Sequence, residues 1–114
     1  MKTLSQVITT TKPEIFKELP SGGYTYKFDL KEHTSETGEL YWTYIPIYMR
    51  KVSKTPVYKD LVSAIIRQYI TVDEEFDLIN SFNSGEDVNE YQEYVKLLKH
   101  IKTTVKADLN NHKQ

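Results

Sequence analysis

One stretch of this chain, ELYWTYIPIYM at residues 39–49, constrains the fold more than any other. As a strand it puts Tyr41, Thr43, Ile45, Ile47 and Met49 on one side and Leu40, Trp42, Tyr44, Pro46 and Tyr48 on the other. Both sides are apolar or aromatic, so each needs a cover, from helices of the same chain or from a partner. Pro46 has no N–H to give to a ladder, which places this part of the strand at a sheet edge or a bulge. Upstream, after a turn at Ser21, Gly22 and Gly23, the residues Tyr24, Tyr26, Phe28 and Leu30 alternate with Thr25, Lys27 and Asp29. That is the period of a half-buried strand. The polar run KEHTSETGE, with Thr37 and Gly38, suits a connection between the two. The pattern predicts an antiparallel hairpin over 23–31 and 39–50.

The remainder reads as helix. Thr55 before Pro56 fits an N-cap with proline at the first helical position, and Tyr58, Leu61, Val62, Ile65, Ile66 and Tyr69 recur at helical spacing. Thr71 followed by Glu74 is a capping-box pattern, with Asp73, Glu74 and Glu75 where a helix dipole favours negative charge. Phe76, Leu78 and Ile79 are expected to form the buried side of that second helix. After NSFNSGED, a stripe of Val88, Tyr91, Val95, Leu98, Ile101, Val105 and Leu109 marks a long last helix. The expected spans are 56–69, 72–82 and 86–109. A lone hairpin is marginal and needs helices to pack on. The expected fold is therefore α+β, a small antiparallel sheet packed against two or three helices. With 114 residues there is room for one domain. Residues 21–109 form it, residues 1–20 form a leader or docking arm that could extend the sheet, and residues 110–114 are expected to fray.

Little in the chain points to catalysis. There is no cysteine, so thiol chemistry and disulfides are excluded. His33, His100 and His112 have no second metal ligand at motif spacing. The acids Asp73, Glu74, Glu75 and Asp77 are read as helix-start charges, and DLINSFNSGED misses the alternating oxygens of a calcium loop. No glycine-rich phosphate loop is present, no cofactor is implied, and the expectation is a protein that is not an enzyme. The opening residues lack the apolar run of a signal peptide and no stretch reaches membrane-span length, so no membrane partner is expected. Fifteen basic residues against sixteen acidic make a broad polybasic surface, and hence a nucleic-acid partner, unexpected. The weak candidates for such a contact are Lys99, Lys102 and Lys106, on one flank of the last helix.

The aromatics carry more information. Nine tyrosines are unusual for this length, and Tyr24, Tyr26, Tyr41, Trp42, Tyr44 and Tyr48 all fall in the hairpin. Aromatics suit strands, yet a domain this small has limited room to bury them, and tyrosine and tryptophan are favoured at protein interfaces. These six, with Arg67, are the expected interface residues.

The segment TPVYKDLVSAIIRQYITVDEEFDLIN resembles small proteins of phages and prophages of Bacteroides-type bacteria, through Thr55, Pro56, Tyr58, Val62, Ala64, Ile65, Ile66, Arg67 and Tyr69. EYQEYVKLLKHIK is similar to the closing helix of those proteins, and the likeness spans about residues 24–109. It implies a structural or accessory virion protein of tail, baseplate or head. Such a protein would be assembled in the host cytoplasm, would associate with itself as a homo-oligomer and would dock on other virion proteins. A small intracellular adaptor binding a host or phage protein, and a nucleic-acid-binding accessory factor, stand as alternatives.

Overall fold

The computed structural model describes residues 1–50 and 56–112. The chain is an α+β domain: a four-stranded antiparallel sheet packed against three helices. The strands are β1 (Val7–Thr9), β2 (Phe16–Glu18), β3 (Tyr24–Thr34) and β4 (Leu40–Met49), and the helices are α1 (Tyr58–Tyr69), α2 (Val72–Asn83) and α3 (Val88–His112). The sheet order is β1-β4-β3-β2. Both edge strands therefore come from the leader, which is built into the sheet as three-residue pieces and not held apart from it as an arm. Phe16 secures the outer one, its ring stacked on Tyr26 with centroids 4.9 Å apart. Pro46 lies two residues beyond the stretch of β4 that β1 covers, where β4 is paired on one side only, in keeping with its missing donor.

The hairpin continues past the expected end of its first strand, to Thr34. Phe28 faces Ile45 but Lys31 faces Thr43, so β3 spends one extra residue there and bulges. Asp29 takes the left-handed conformation at this point, φ +56°. Beyond the bulge Lys31, Glu32 and Thr34 of β3 are exposed, so the apolar alternation that marks this strand in the sequence stops although the ladder does not. The turn closes through Ser35 and Glu39, with Gly38 at φ +86° donating to the Ser35 carbonyl.

Tyr26, Phe28, Ile45 and Ile47 of the sheet meet Leu61, Val62 and Ile65 of α1 and Ile101, Val105 and Leu109 of α3 in the main core. A smaller core of Ile70, Leu78 and Tyr94 joins α1, α2 and α3. The capping box forms as expected: Glu74 N–H donates to Thr71 Oγ1 at 3.1 Å, and Thr71 N–H donates to Glu74 Oε1 at 3.2 Å. Each helix differs in part from expectation. Helix α1 begins at Tyr58, capped by extended Val57 with no side-chain bond, while Thr55 lies outside the described residues. In α2 only Leu78 is buried, and Phe76 and Ile79 face solvent. Helix α3 starts at Val88, runs on to His112, whose ring meets Phe16, and buries Tyr94 where the expected stripe has Tyr91 and Val95. Lys113 and Gln114 lie outside the described residues.

Candidate interaction surface

Successive residues of a strand face opposite sides, and paired residues share a side. The pairs Tyr26–Ile47 and Phe28–Ile45 point to the helices, so Lys27–Pro46 and Thr25–Tyr48 point away from them. Adding Val7–Tyr44 and Thr9–Trp42 from β1 and Lys17–Thr25 from β2 completes this outer face. Its floor is Trp42, Tyr44, Pro46 and Tyr48, and none of these belongs to either core. The alternation of β4 thus places its two apolar sides as expected, but the helices cover only one of them.

Of the six expected interface aromatics, the structure divides two from four. Tyr24 and Tyr26 are core residues, Tyr26 fully buried, and this corrects the expectation that they meet a partner. Their side of β3 is the one the helices cover, and the Tyr26 hydroxyl donates to Asp108 on α3. Burial first, then that bond, push the tyrosine far above its ordinary range, while burial raises Asp108 against the lowering effect of the same bond. Tyr41 points inward beyond the bulge, half-buried, its ring stacked on His33 at 4.9 Å. Trp42 and Tyr44 are half-buried on the outer face, and Tyr48 is 73% exposed there.

Lys27 is the residue that sequence alone did not single out. It stands opposite Pro46 and diagonal to Tyr44 and Tyr48, is only 8% exposed, and donates from Nζ to Thr25 Oγ1 at 2.9 Å. Burial and the neighbouring charge of Lys17 push its ammonium below the ordinary lysine value, with Glu14 acting in the other direction. Among the described residues, no carboxylate lies within ion-pair distance of Lys27 or Lys17. A signal was present in the sequence: a lysine between two core aromatics on a strand whose partner is aromatic on both sides.

Arg67 is committed within the chain. Its guanidinium donates to Glu75 Oε1 at 2.7 Å and to the Ile70 carbonyl at 3.2 Å, bracketing the α1–α2 turn. Tyr94 of α3 donates its hydroxyl to the other oxygen, Glu75 Oε2. Burial alone would raise the Glu75 carboxyl, but the Tyr94 and Arg67 bonds outweigh it and hold the group below the ordinary glutamate value. Arg67 thereby braces the corner between α1 and α2, with its side chain still 38% exposed. The same packing turns α2 so that Val72, Phe76 and Ile79 face outward, Val72 61% and Phe76 65% exposed.

Lys99, Lys102 and Lys106 are exposed along one flank of α3. His100 Nε2 sits 2.7 and 2.9 Å from the two carboxylate oxygens of Asp29, tying α3 to the bulge. A groove of about 720 Å³ on the helix side is lined by residues including Lys2, Asp29, Tyr69, Glu74 and Glu93, of which Asp29 and Glu74 already have partners in His100 and Thr71. Among the described residues no three histidine or carboxylate side chains converge as a metal ion would need, and no helix is long and apolar enough to cross a membrane. No protein-family model, curated protein or solved structure matches this chain.

Proposed function

We propose that this chain is a non-enzymatic structural or accessory protein that acts by contact with other proteins through the outer face of its sheet. The observation that carries this reading is the aromatic floor of Trp42, Tyr44 and Tyr48, without a helix over it among the described residues, and beside it Lys27 and Lys17, neither in an ion pair among those residues. A sheet with two apolar faces is ordinarily covered on both. The resemblance of residues 24–109 to small phage proteins is the support for a virion setting, with other virion proteins and further copies of this chain as the proposed partners. Mass spectrometry of purified particles tests it. The protein should be present at the copy number of a repeating component, and Tyr48→Ser should reduce its incorporation while the isolated protein keeps its fold. A protein absent from particles and monomeric at high concentration would overturn the reading.

A second reading, a nucleic-acid accessory factor, draws on the exposed flank of Lys99, Lys102 and Lys106. It requires a salt-sensitive mobility shift with DNA or RNA that is lost when the three are changed to glutamine.

A further inference from the structure

Helix α2 has two apolar flanks and the fold uses one. Leu78 is buried in the smaller core, and Phe82 stacks on Tyr91 with centroids 4.0 Å apart. Val72, Phe76 and Ile79, at i, i+4 and i+7, form a separate stripe in solvent. At 100° per residue Asp73 lies about 60° from Phe76, at one border of that stripe, while Asp77 lies about 100° away, and both are exposed. The sequence of α2, VDEEFDLINSFN, contains no cation. An exposed surface of this kind, apolar with an acidic border, matches an aromatic floor that carries unpaired lysines.

The outer sheet face is such a floor. Trp42, Tyr44 and Tyr48 supply the apolar contact, and Lys17 and Lys27 supply charge with no carboxylate in ion-pair range among the described residues. A cation as buried as Lys27 is rarely left unpaired in a finished structure. The dimensions agree as well. Twelve residues of α2 make a rod of about 18 Å, and the outer-facing run of β4 from Trp42 to Tyr48 spans about 20 Å. Helix on sheet is already the packing of the inner face. Within one copy α2 belongs to the helix layer, so its stripe and the outer face lie on opposite sides and meet only between molecules.

We propose that α2 of one copy docks on the outer sheet face of a second copy, with the Val72–Phe76–Ile79 stripe on Tyr44 and Tyr48 and its Asp73 border beside Lys17 and Lys27. Glu32, paired with Trp42 at the far end of the same face, repels that border and sets the direction in which the helix lies. The two surfaces differ, so the contact is heterologous: each copy gives a helix and receives one, and the arrangement propagates into a ring or a filament instead of closing as a pair. The proposal rests on the outer face being a protein-docking surface and names its occupant.

Sedimentation velocity over about 10 µM to about 1 mM covers the range in which a contact at the small end of protein interfaces is read. The wild-type chain should grow with concentration past the dimer. Phe76→Ser removes the helix surface, and Tyr48→Ser with Lys17→Glu removes the sheet surface. All three positions are exposed, and circular dichroism confirms that the variants fold. Each variant alone should associate about ten-fold or more weakly. Mixed in equal amounts they should form a species that stops at the dimer, because one intact helix surface meets one intact sheet surface. Asp73→Lys should also lose association and regain it when mixed with Lys17→Glu.

A wild-type chain that stays monomeric at the highest concentration overturns the proposal, and incorporation into particles would then show that the docking surface is real but has another occupant. Undiminished association of either variant alone, or a mixture that forms no dimer, overturns it too.

Discussion

Replacing Glu75 by alanine tests the account of how the three helices are joined. In the folded protein one carboxylate receives Arg67 from α1 and Tyr94 from α3. Tyr94 is buried, and without Glu75 its hydroxyl has no acceptor, a loss of about 1–3 kcal/mol. The Arg67 side chain is 38% exposed, so its ion pair is screened and adds no more than about 0.5 kcal/mol. Glu75→Ala should therefore destabilise by about 2 kcal/mol, which lowers the thermal midpoint by roughly 8 °C. Tyr94→Phe, which leaves the carboxylate its arginine, should cost about 1 kcal/mol, and Arg67→Met less than that. Urea denaturation followed by circular dichroism gives all three values and the Glu75/Tyr94 double-mutant cycle. The coupling energy should exceed about 0.5 kcal/mol. Acid supplies an independent check, because the folded Glu75 carboxyl lies below its ordinary value of 4.5. Its contribution is present above that value and is lost as pH falls through the folded one, so wild type and Glu75→Ala should converge in acid. A loss under about 0.5 kcal/mol for Glu75→Ala, additive with Tyr94→Phe, would refute the reasoning.

Three further outcomes follow from the geometry. Thr71→Ala breaks the capping box and should cost about 1 kcal/mol by urea denaturation. Asp108→Asn should match or exceed wild-type stability at about pH 7: burial raises the folded Asp108 carboxyl, so its favourable share exists below the ordinary aspartate range and disappears as pH rises through the folded value. The neutral amide can still accept from Tyr26, and the advantage should vanish when urea midpoints are compared at about pH 3. Gly23→Ala places a Cβ 2.3 Å from the Met49 carbonyl oxygen and should lower the thermal midpoint by the equivalent of 1–3 kcal/mol or so; Gly38→Ala, in open space but at φ +86°, should lose only about 1 kcal/mol.

Parts of this fold are legible in the sequence because a single local rule governs them. The period of two in β4 separates its sides, and Thr71 with Glu74 locates the start of α2. Other parts depend on which of two local options tertiary packing selects. Helix α2 offers Leu78 with Phe82 and Val72 with Phe76 and Ile79 as rival flanks, and hydrophobicity favours the second. The first packs inward, Leu78 in the smaller core and Phe82 on Tyr91, where the Glu75–Tyr94 bond also joins α2 to α3. Tyr24 and Tyr26 read as interface residues by composition, yet as core residues by alternation with Thr25 and Lys27, and alternation prevails. The bulge at Asp29 has no apolar signature, since the residue that absorbs the extra length is an aspartate tied to His100.

The order of strands and helices along the chain also determines when the protein can finish folding during synthesis. The hairpin leaves the ribosome with Tyr26, Phe28, Ile45 and Ile47 on its inner face, but Ile101, Val105 and Leu109, which cover part of that face, come roughly sixty residues later. At 5–20 residues per second this leaves a window of roughly 3–12 s in which the nascent sheet is exposed to aggregation on both faces. The Tyr26–Asp108 bond, spanning 82 positions, forms only after that window closes. A chain shortened before α3 would keep the whole hairpin and lose the helix that covers part of its inner face.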